Sequence, residues 1–295
     1  MSPAARKGIL LAGGAGTRLH PMTRMISKQL LPVYDKPMVC YPLATLLALG
    51  LREVLLITTP EDRARFERLL GDGRALGMAL AYAEQPQPRG LAEALLLGRD
   101  FLAGSPCCLV LGDNLFHGVG FVEQVRAAAA RTQGATVFAA HVERPERYGV
   151  AELDAGGRLL RIVEKPAEAP SPWAITGLYL YDAQAPALAA TLRPSARGQL
   201  EITDLNNLYL AQGALTLERL PRSVAWHDMG TPDSLLDAAA GVRAAERASG
   251  RQLGCPEAEA WAQGWIDRAQ LLRLADGYGA TPYGDALRRL AGAPR

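Results

Sequence analysis

Short, unbroken apolar runs alternate along the chain with longer stretches in which apolar residues recur every three or four positions. The run Gly8-Ile9-Leu10-Leu11-Ala12 reads as a strand buried on both faces, and it stops at Gly13, Gly14 and Gly16. Residues 53–58, 79–84, 107–111 and 135–142 have the same texture. Between them, residues 37–49, 61–70, 91–102 and 121–131 carry helical periodicity, the first with Pro37 in its opening turn. Strand–helix–strand alternation with continuously apolar strands predicts a parallel sheet covered by helices on both faces. Beyond that point the pattern changes. Residues 150–153 and 158–163 flank Asp154-Ala155-Gly156-Gly157 and read as a hairpin. Residues 173–181, 214–220 and 223–226 read as strands and 203–211 as a helix, and from Pro232 onward the pattern is almost wholly helical. The expectation is one α/β domain with a helical C-terminal extension.

Composition narrows the function classes. A chain of 295 residues suits one large domain or two modest ones. With 49% apolar and 21% charged residues it is not a disordered composition. The 32 Lys and Arg against 30 Asp and Glu leave a net charge of +2, which argues against a polybasic surface for a nucleic-acid polymer. A local cationic site for a small anion stays open. No apolar stretch reaches the ~18 residues that span a bilayer. The apolar run after Arg6-Lys7 is too short for a signal-peptide core. Cys40, Cys107, Cys108 and Cys255 match no zinc spacing, and the four histidines make no metal-binding pair. The expected compartment is the reducing cytoplasm, with no membrane partner.

The chemistry concentrates at the first turn, Leu11-Ala12-Gly13-Gly14-Ala15-Gly16-Thr17-Arg18-Leu19. Glycines after a first strand let the backbone approach phosphate oxygens, and ligands of open α/β sheets sit at strand carboxyl ends. A dinucleotide fingerprint would want a glycine where Leu19 stands, and no P-loop string occurs. A third reading is a triphosphate site using the turn with Arg18 and Lys28, Arg as a fork and Lys as a point charge. Asp113 follows the strand at residues 107–111 and points into the same crevice. Asp228 follows Val224-Ala225-Trp226-His227 in the same manner. Mg²⁺ takes one or two carboxylates plus substrate phosphate oxygens, so the pair suits it. For Asp228 a helix cap before Pro232 is an equal reading of the residues alone. Gln85 offers an amide that matches the edge of thymine or uracil, and Lys165 places a cation beside an incoming phosphate dianion.

Gly13 to Leu19 with Pro21, followed by Ser27-Lys28-Gln29-Leu30-Leu31-Pro32-Val33-Tyr34-Asp35-Lys36-Pro37-Met38, resembles the opening of the sugar-nucleotidyltransferases. Further motifs follow in order to beyond residue 260: Gln85 to Ala92, Glu146 to Val150, Glu164-Lys165-Pro166, Ala174 to Tyr179, and Gly198 to Asp204. The resemblance implies a Rossmann-like α/β fold with a mixed, mostly parallel central sheet. It implies a catalytic domain over 1–240, with a nucleotide part at about 1–115 and a sugar part at about 116–240, and a helical extension over 241–295. It is strongest to members that act on dTTP and glucose 1-phosphate with Mg²⁺ on Asp113 and Asp228, which favours the metal reading of Asp228. Arg18, Lys28, Asp113, Lys165 and Asp228 would carry catalysis. Leu11, Gly13, Gly14, Gly16, Thr17, Gln29, Gln85 and Gly90 would hold the nucleotide. Gly149, Glu164 and Ile175 would line the hexose, and Asn114, Tyr148, Gly177 and Glu201 would also bind substrate.

The implied reaction is a single displacement in which a sugar phosphate oxygen attacks the α-phosphorus and pyrophosphate leaves. The nucleophile is already an anion, so positioning and charge neutralisation suffice. Three departures from the family pattern, His227, Met229 and Gln199, bear on the fit of sugar or triphosphate. Arg243, Arg247 and Arg251 recur every four residues on one helix face, a solvated stripe, a subunit contact or a second anion site. The resemblance implies a homotetramer with a regulatory nucleotide site. Ala262 and Gly264 stand where relatives carry Arg and Lys, so weaker end-product inhibition is expected. Three other readings compete: another hexose 1-phosphate or UTP as substrate, a non-catalytic sugar-nucleotide sensor, and an NAD(P) oxidoreductase. The intact set of charged residues argues against the sensor, and Leu19 against the oxidoreductase.

Overall fold

The computed structural model describes residues 5–14 and 16–293; Ala15 of the glycine turn lies outside the described residues. The first half winds through strands β1 (Lys7–Ala12), β2 (Pro32–Val33), β3 (Lys36–Pro37), β4 (Glu53–Thr58), β5 (Ala79–Glu84), β6 (Cys107–Leu111) and β7 (Asn114–Gly118). Between them lie helices α1 (Cys40–Ala48), α2 (Pro60–Leu70), α3 (Glu93–Leu97) and α4 (Arg99–Leu102). After α5 (Phe121–Ala129) come β8 (Ala135–His141), the hairpin β9 (Gly149–Leu153) and β10 (Leu159–Glu164), and the long β11 (Trp173–Tyr181). Helices α6 (Ala185–Ala189) and α7 (Ile202–Ala211) precede β12 (Leu215–Arg219) and β13 (Val224–Asp228). The chain finishes in α8 (Pro232–Ser249), α9 (Pro256–Ala262), α10 (Arg268–Gly277) and α11 (Pro282–Gly292).

The main sheet is mixed. Its order is β10-β9-β11-β6-β1-β4-β5, with β8 on β11 and β12 on β8. The run β6-β1-β4-β5 is parallel, as the apolar strands require, whereas β11 runs antiparallel to β6, β8 and β9. Strand alternation explains the unbroken apolar runs. Leu10 and Ala12 of β1 enter one core with α1, while Ile9 and Leu11 enter another with α3 and α7. Both faces are therefore covered. The C-terminal segment joins the first core through Trp261, Leu271 and Leu287 of its helices and Ile266 between α9 and α10.

Several boundaries differ from the sequence expectation. The helix expected over 37–49 begins at Cys40, because Lys36 and Pro37 pair with β2 in a short hairpin. The helix expected over 91–102 breaks at Gly98, whose place is pressed against Ile9 and the Ala94 carbonyl. Strand β7 was not expected. Its partner β13 runs on to Asp228, two residues past the expected end at 226. The cap of α8 is Thr231, which accepts from the N–H of Ser234 in a reciprocal capping box. Asp228 is therefore no helix cap.

Candidate active site

Strand β6 ends in Leu111, and the chain turns through Gly112 to Asp113, with the Gly112 N–H donating to the Leu11 carbonyl at 2.9 Å. The carboxylate is thereby delivered beside the glycine turn at the end of β1. Strand β7 then pairs antiparallel with β13, opposing Asn114 to Asp228. This ladder brings two carboxylates together from distant parts of the chain. A backbone bond from the Met229 N–H to the Asp113 carbonyl, 3.0 Å, fastens the corner.

The charges are divided unequally. Asp113 pairs with the Lys28 ammonium and accepts from the Asn114 amide at 3.2 Å. Burial works to raise the Asp113 carboxyl, but the Lys28 ammonium outweighs it and holds the group below its ordinary value. Among the described residues, Asp228 has no ion-pair partner. Burial, and then the negative charge of Asp113, push its carboxyl up to about 6, against the pull of Lys28, Arg18 and Arg147. Tyr148 donates its hydroxyl to Asp228 and packs on Trp226, ring centroids 5.0 Å apart. Two crowded carboxylates fit one hard divalent cation that completes its shell with phosphate oxygens and water. Among the described residues, no group of three or more His, Cys, Asp or Glu gathers as an all-protein metal cage.

Two cavities meet at this corner. The first, about 200 Å³, is lined by Leu11, Gly13, Gly14, Lys28, Gln29, Gln85, Gly90 and Asp113. Its Gln85 is buried, and the amide nitrogen donates to Glu93 at 2.7 Å. A carboxylate accepts only, so Glu93 fixes which end of the amide is which and leaves Oε1 against Gly13. Gly90 has φ 109°, and a Cβ there would lie 2.3 Å from the Leu200 carbonyl, so only glycine closes this wall. The second cavity, about 210 Å³, is lined by Arg18, Asn114, Tyr148, Gly149, Glu164, Lys165, Ile175, Gly177 and Asp228. Leu91, Leu111 and Asp113 border both.

In the second cavity Glu164 accepts from the Thr203 hydroxyl at 2.6 Å and from Arg197 at 2.9 Å. Arg197 also binds Glu201 at 3.0 Å. Lys165, with half its side chain exposed, stands 3.6 Å from Glu164. Asn114 accepts from the Gly177 N–H at 2.9 Å and from the Trp226 indole at 2.6 Å, so one amide ties β7 to β11 and β13.

Most sequence-expected residues line one cavity or the other. Gly16, Thr17 and Glu201 line neither, and Glu201 is joined to the second through Arg197 and its chain neighbour Ile202. Gln199 borders the first cavity rather than the second. Met229 is wholly buried against Val33, Met38 and Leu115, and His227 stacks on His117, so neither departure lines the cavities. Arg147, Arg197, Glu93 and Trp226 belong to the arrangement and escaped the sequence reading. Arg147 and Trp226 stood inside stretches already quoted; Glu93 and Arg197 carried no local signal. Burial pushes the thiols of Cys40, Cys107 and Cys108 up to about 12, so none offers a thiolate.

Residues 7–245 match the family described as nucleotidyl transferase. A glucose-1-phosphate thymidylyltransferase of Xanthomonas campestris pv. campestris is 55% identical over 286 residues, 97% of each chain. The Neisseria meningitidis serogroup A enzyme of the same name is 50% identical, covering 96% of this chain and 99% of its own. A Bacillus anthracis crystal structure assigned as a glucose-1-phosphate thymidylyltransferase, in complex with sucrose, superposes with TM-score 0.75 and 39% identity. It covers 81% of this chain and 96% of that one. A UDP-glucose pyrophosphorylase complexed with UDP-glucose, 23% identical, shares the fold with TM-score 0.71 over 82% of this chain and all of that one.

Proposed function

The chain belongs to the nucleotidyl transferase family, and from that premise we propose that it transfers a thymidylyl group from dTTP to α-D-glucose 1-phosphate, releasing pyrophosphate and dTDP-glucose. The observation that carries the reading is the meeting of the two cavities at Asp113, each half lined by the groups its substrate needs.

The first cavity takes the nucleotide. Gln85 Oε1, held acceptor-outward by Glu93, receives the N3–H of the pyrimidine. The glycine turn leaves room for the triphosphate, with Arg18 and Lys28 as counter-charges. The second cavity takes the sugar phosphate. Glu164, oriented by Thr203 and Arg197, accepts from sugar hydroxyls, and Lys165 and Arg147 face the phosphate. A phosphate oxygen of the sugar then lies opposite the α-phosphorus, and an in-line displacement needs no side-chain nucleophile. Lys28 leaves Asp113 for the α-phosphate as the triphosphate enters, and Arg18 stabilises the departing pyrophosphate. Asp113 and Asp228 would hold Mg²⁺, which when bound neutralises charge on the phosphates. Discrimination between thymine and uracil rests on one methyl group, so UTP is a weaker second substrate.

The reading extends to assembly and control. We infer a homotetramer. Ala262 and Gly264 supply no cations, which supports weakened end-product inhibition. No helix among the described residues is long and apolar enough to cross a membrane. The deciding experiment is a panel of nucleoside triphosphates against hexose 1-phosphates with Mg²⁺, read as pyrophosphate release. The highest kcat/KM is expected for dTTP with glucose 1-phosphate; absence of turnover with that pair would refute the assignment.

A further inference from the structure

Between α6 and α7 the chain makes a tight turn over residues 195–199 that reaches both cavities. The Ser195 N–H donates to the Gln199 carbonyl at 2.9 Å and the Gly198 N–H to the Ser195 carbonyl at 2.8 Å, with Gly198 at φ 72°. The turn runs into Leu200, whose N–H donates to the Arg89 carbonyl at 2.7 Å and whose carbonyl accepts from the Ala92 N–H at 3.2 Å. These bonds lay it along the wall of the first cavity, where Gln199 stands with Pro88, Gly90 and Leu91. Its other side is tied to the second cavity. The Ser195 hydroxyl donates to Glu201 at 2.7 Å. Arg197 spans two carboxylates: its Nη2 lies 2.9 Å from Glu164 and 3.0 Å from Glu201, and its Nε donates to Glu201 at 3.2 Å.

Negative charge gathers at this point. Burial, and then the charges of Glu201 and Glu164, raise the Asp204 carboxyl above its ordinary value. Lys165, 3.6 Å from Glu164, serves the phosphate in the proposed reaction, which leaves Arg197 to hold Glu164 as an ionised acceptor. Arg197 lines neither cavity, so it acts through other groups. We propose that Arg197 is a positioning residue that couples the two cavities: by bridging Glu164 to Glu201 it holds the sugar-binding carboxylate and the turn that walls the nucleotide cavity as one unit, so that sugar phosphate and triphosphate each raise the other's affinity. A planar fork grips both carboxylates at once, which a point charge does not. Ala196, Arg197 and Gly198 are exposed, so the turn has little packing of its own and depends on this grip.

The coupling has a short physical route. A sugar hydroxyl that donates to Glu164 immobilises that carboxylate, and with it Arg197 and the turn. Gln199 and Leu200 are then already ordered when the triphosphate arrives, and its binding costs less conformational entropy. Linkage makes the effect reciprocal. This role rests on the reading of the two cavities as nucleotide and sugar-phosphate sites.

The test titrates α,β-methylene-dTTP, an analogue that binds without turning over, into the full chain by calorimetry, with Mg²⁺ and with or without saturating glucose 1-phosphate. In the wild type the sugar phosphate should tighten the analogue at least ~5-fold. In Arg197→Ala that ratio should fall below ~2-fold, while the KM for glucose 1-phosphate rises about 10-fold and the affinity for the analogue alone stays within ~3-fold. Arg197→Lys, which reaches one carboxylate at a time, should recover part of the KM and none of the coupling. Both variants should melt cooperatively near the wild-type temperature; if Arg197→Ala fails to fold, Arg197→Lys decides. A wild-type ratio near one, a ratio unchanged in Arg197→Ala, or coupling restored by Arg197→Lys would overturn the proposal. Absence of wild-type turnover with dTTP and glucose 1-phosphate would refute the reading of the cavities instead. Normal turnover with coupling that survives both variants would refute the role of Arg197 alone.

Discussion

Asp113 and Asp228 both feel the Lys28 ammonium, and the division favours Asp113. The cost falls on Asp228. With its folded pKa raised from 3.8 to about 6, folding is favoured by the protonated form, and that contribution is lost as pH rises through about 6. Asp228→Asn should therefore raise the melting temperature of the metal-free protein at pH 7.5. The gain should shrink as pH falls through 6 and vanish below 3.8. The same variant should cut kcat on the order of 100-fold, since it removes a carboxylate that would hold Mg²⁺ against the reacting phosphates. Melting curves across pH, beside rates at saturating substrate, check both signs; equal melting temperatures at pH 7.5 would refute the charge conflict. Glu93 acts through another group. Glu93→Gln leaves Gln85 free to turn, so the KM for dTTP should rise about 10-fold with kcat nearly unchanged.

At the scale of elements, the β7–β13 ladder does what no single residue does, placing Asp228 opposite Asn114 and next to Asp113. Its far end closes tightly. Gly118 has φ 140°, and a Cβ there would lie 2.1 Å from the Ser223 carbonyl. Gly118→Ala should force the strands apart, cost about 2 kcal/mol or more, and reduce turnover by misplacing Asp228. Gly120, two residues on, has open space around it. Gly120→Ala carries only the backbone strain of a positive φ, about 1 kcal/mol, and should keep its turnover. Denaturant melts and rates on the two variants separate ladder geometry from general strain; equal losses in both would refute the ladder's role.

Over the whole molecule, the C-terminal helices share a core with the catalytic half rather than forming a separate body. Trp261, Ile266, Leu271 and Leu287 are buried with Leu43, Leu46 and Leu47 of α1. At about 1.5–3 kcal/mol per buried side chain, four such residues contribute roughly 6–12 kcal/mol, comparable to the total stability of a domain. A chain ending after α8 should therefore fail to melt cooperatively and should bind a hydrophobic dye. A cooperative melt with full turnover would show the extension to be dispensable.

Strands β1, β4, β5 and β6 and the starts of α2, α5, α7 and α8 were legible in the sequence to within a residue, because strand burial and side-chain period are local properties. Pro60, Pro232, Pro256 and Pro282 each open a helix. The glycine turn, Lys28, Gln85 and Asp113 were legible for the same reason, each lying at a strand end or in a compact motif. Pairing between segments is not local. Trp226 and Asn114 are 112 residues apart, and nothing in either stretch announces that β13 lies on β7. The residues alone therefore left Asp228 between helix cap and metal ligand; the Thr231 cap excluded the first, and the ladder set the Asp228 carboxylate beside Asp113. Glu93 and Arg197 have the same origin. A charged side chain reads as solvated until the fold shows what stands opposite it.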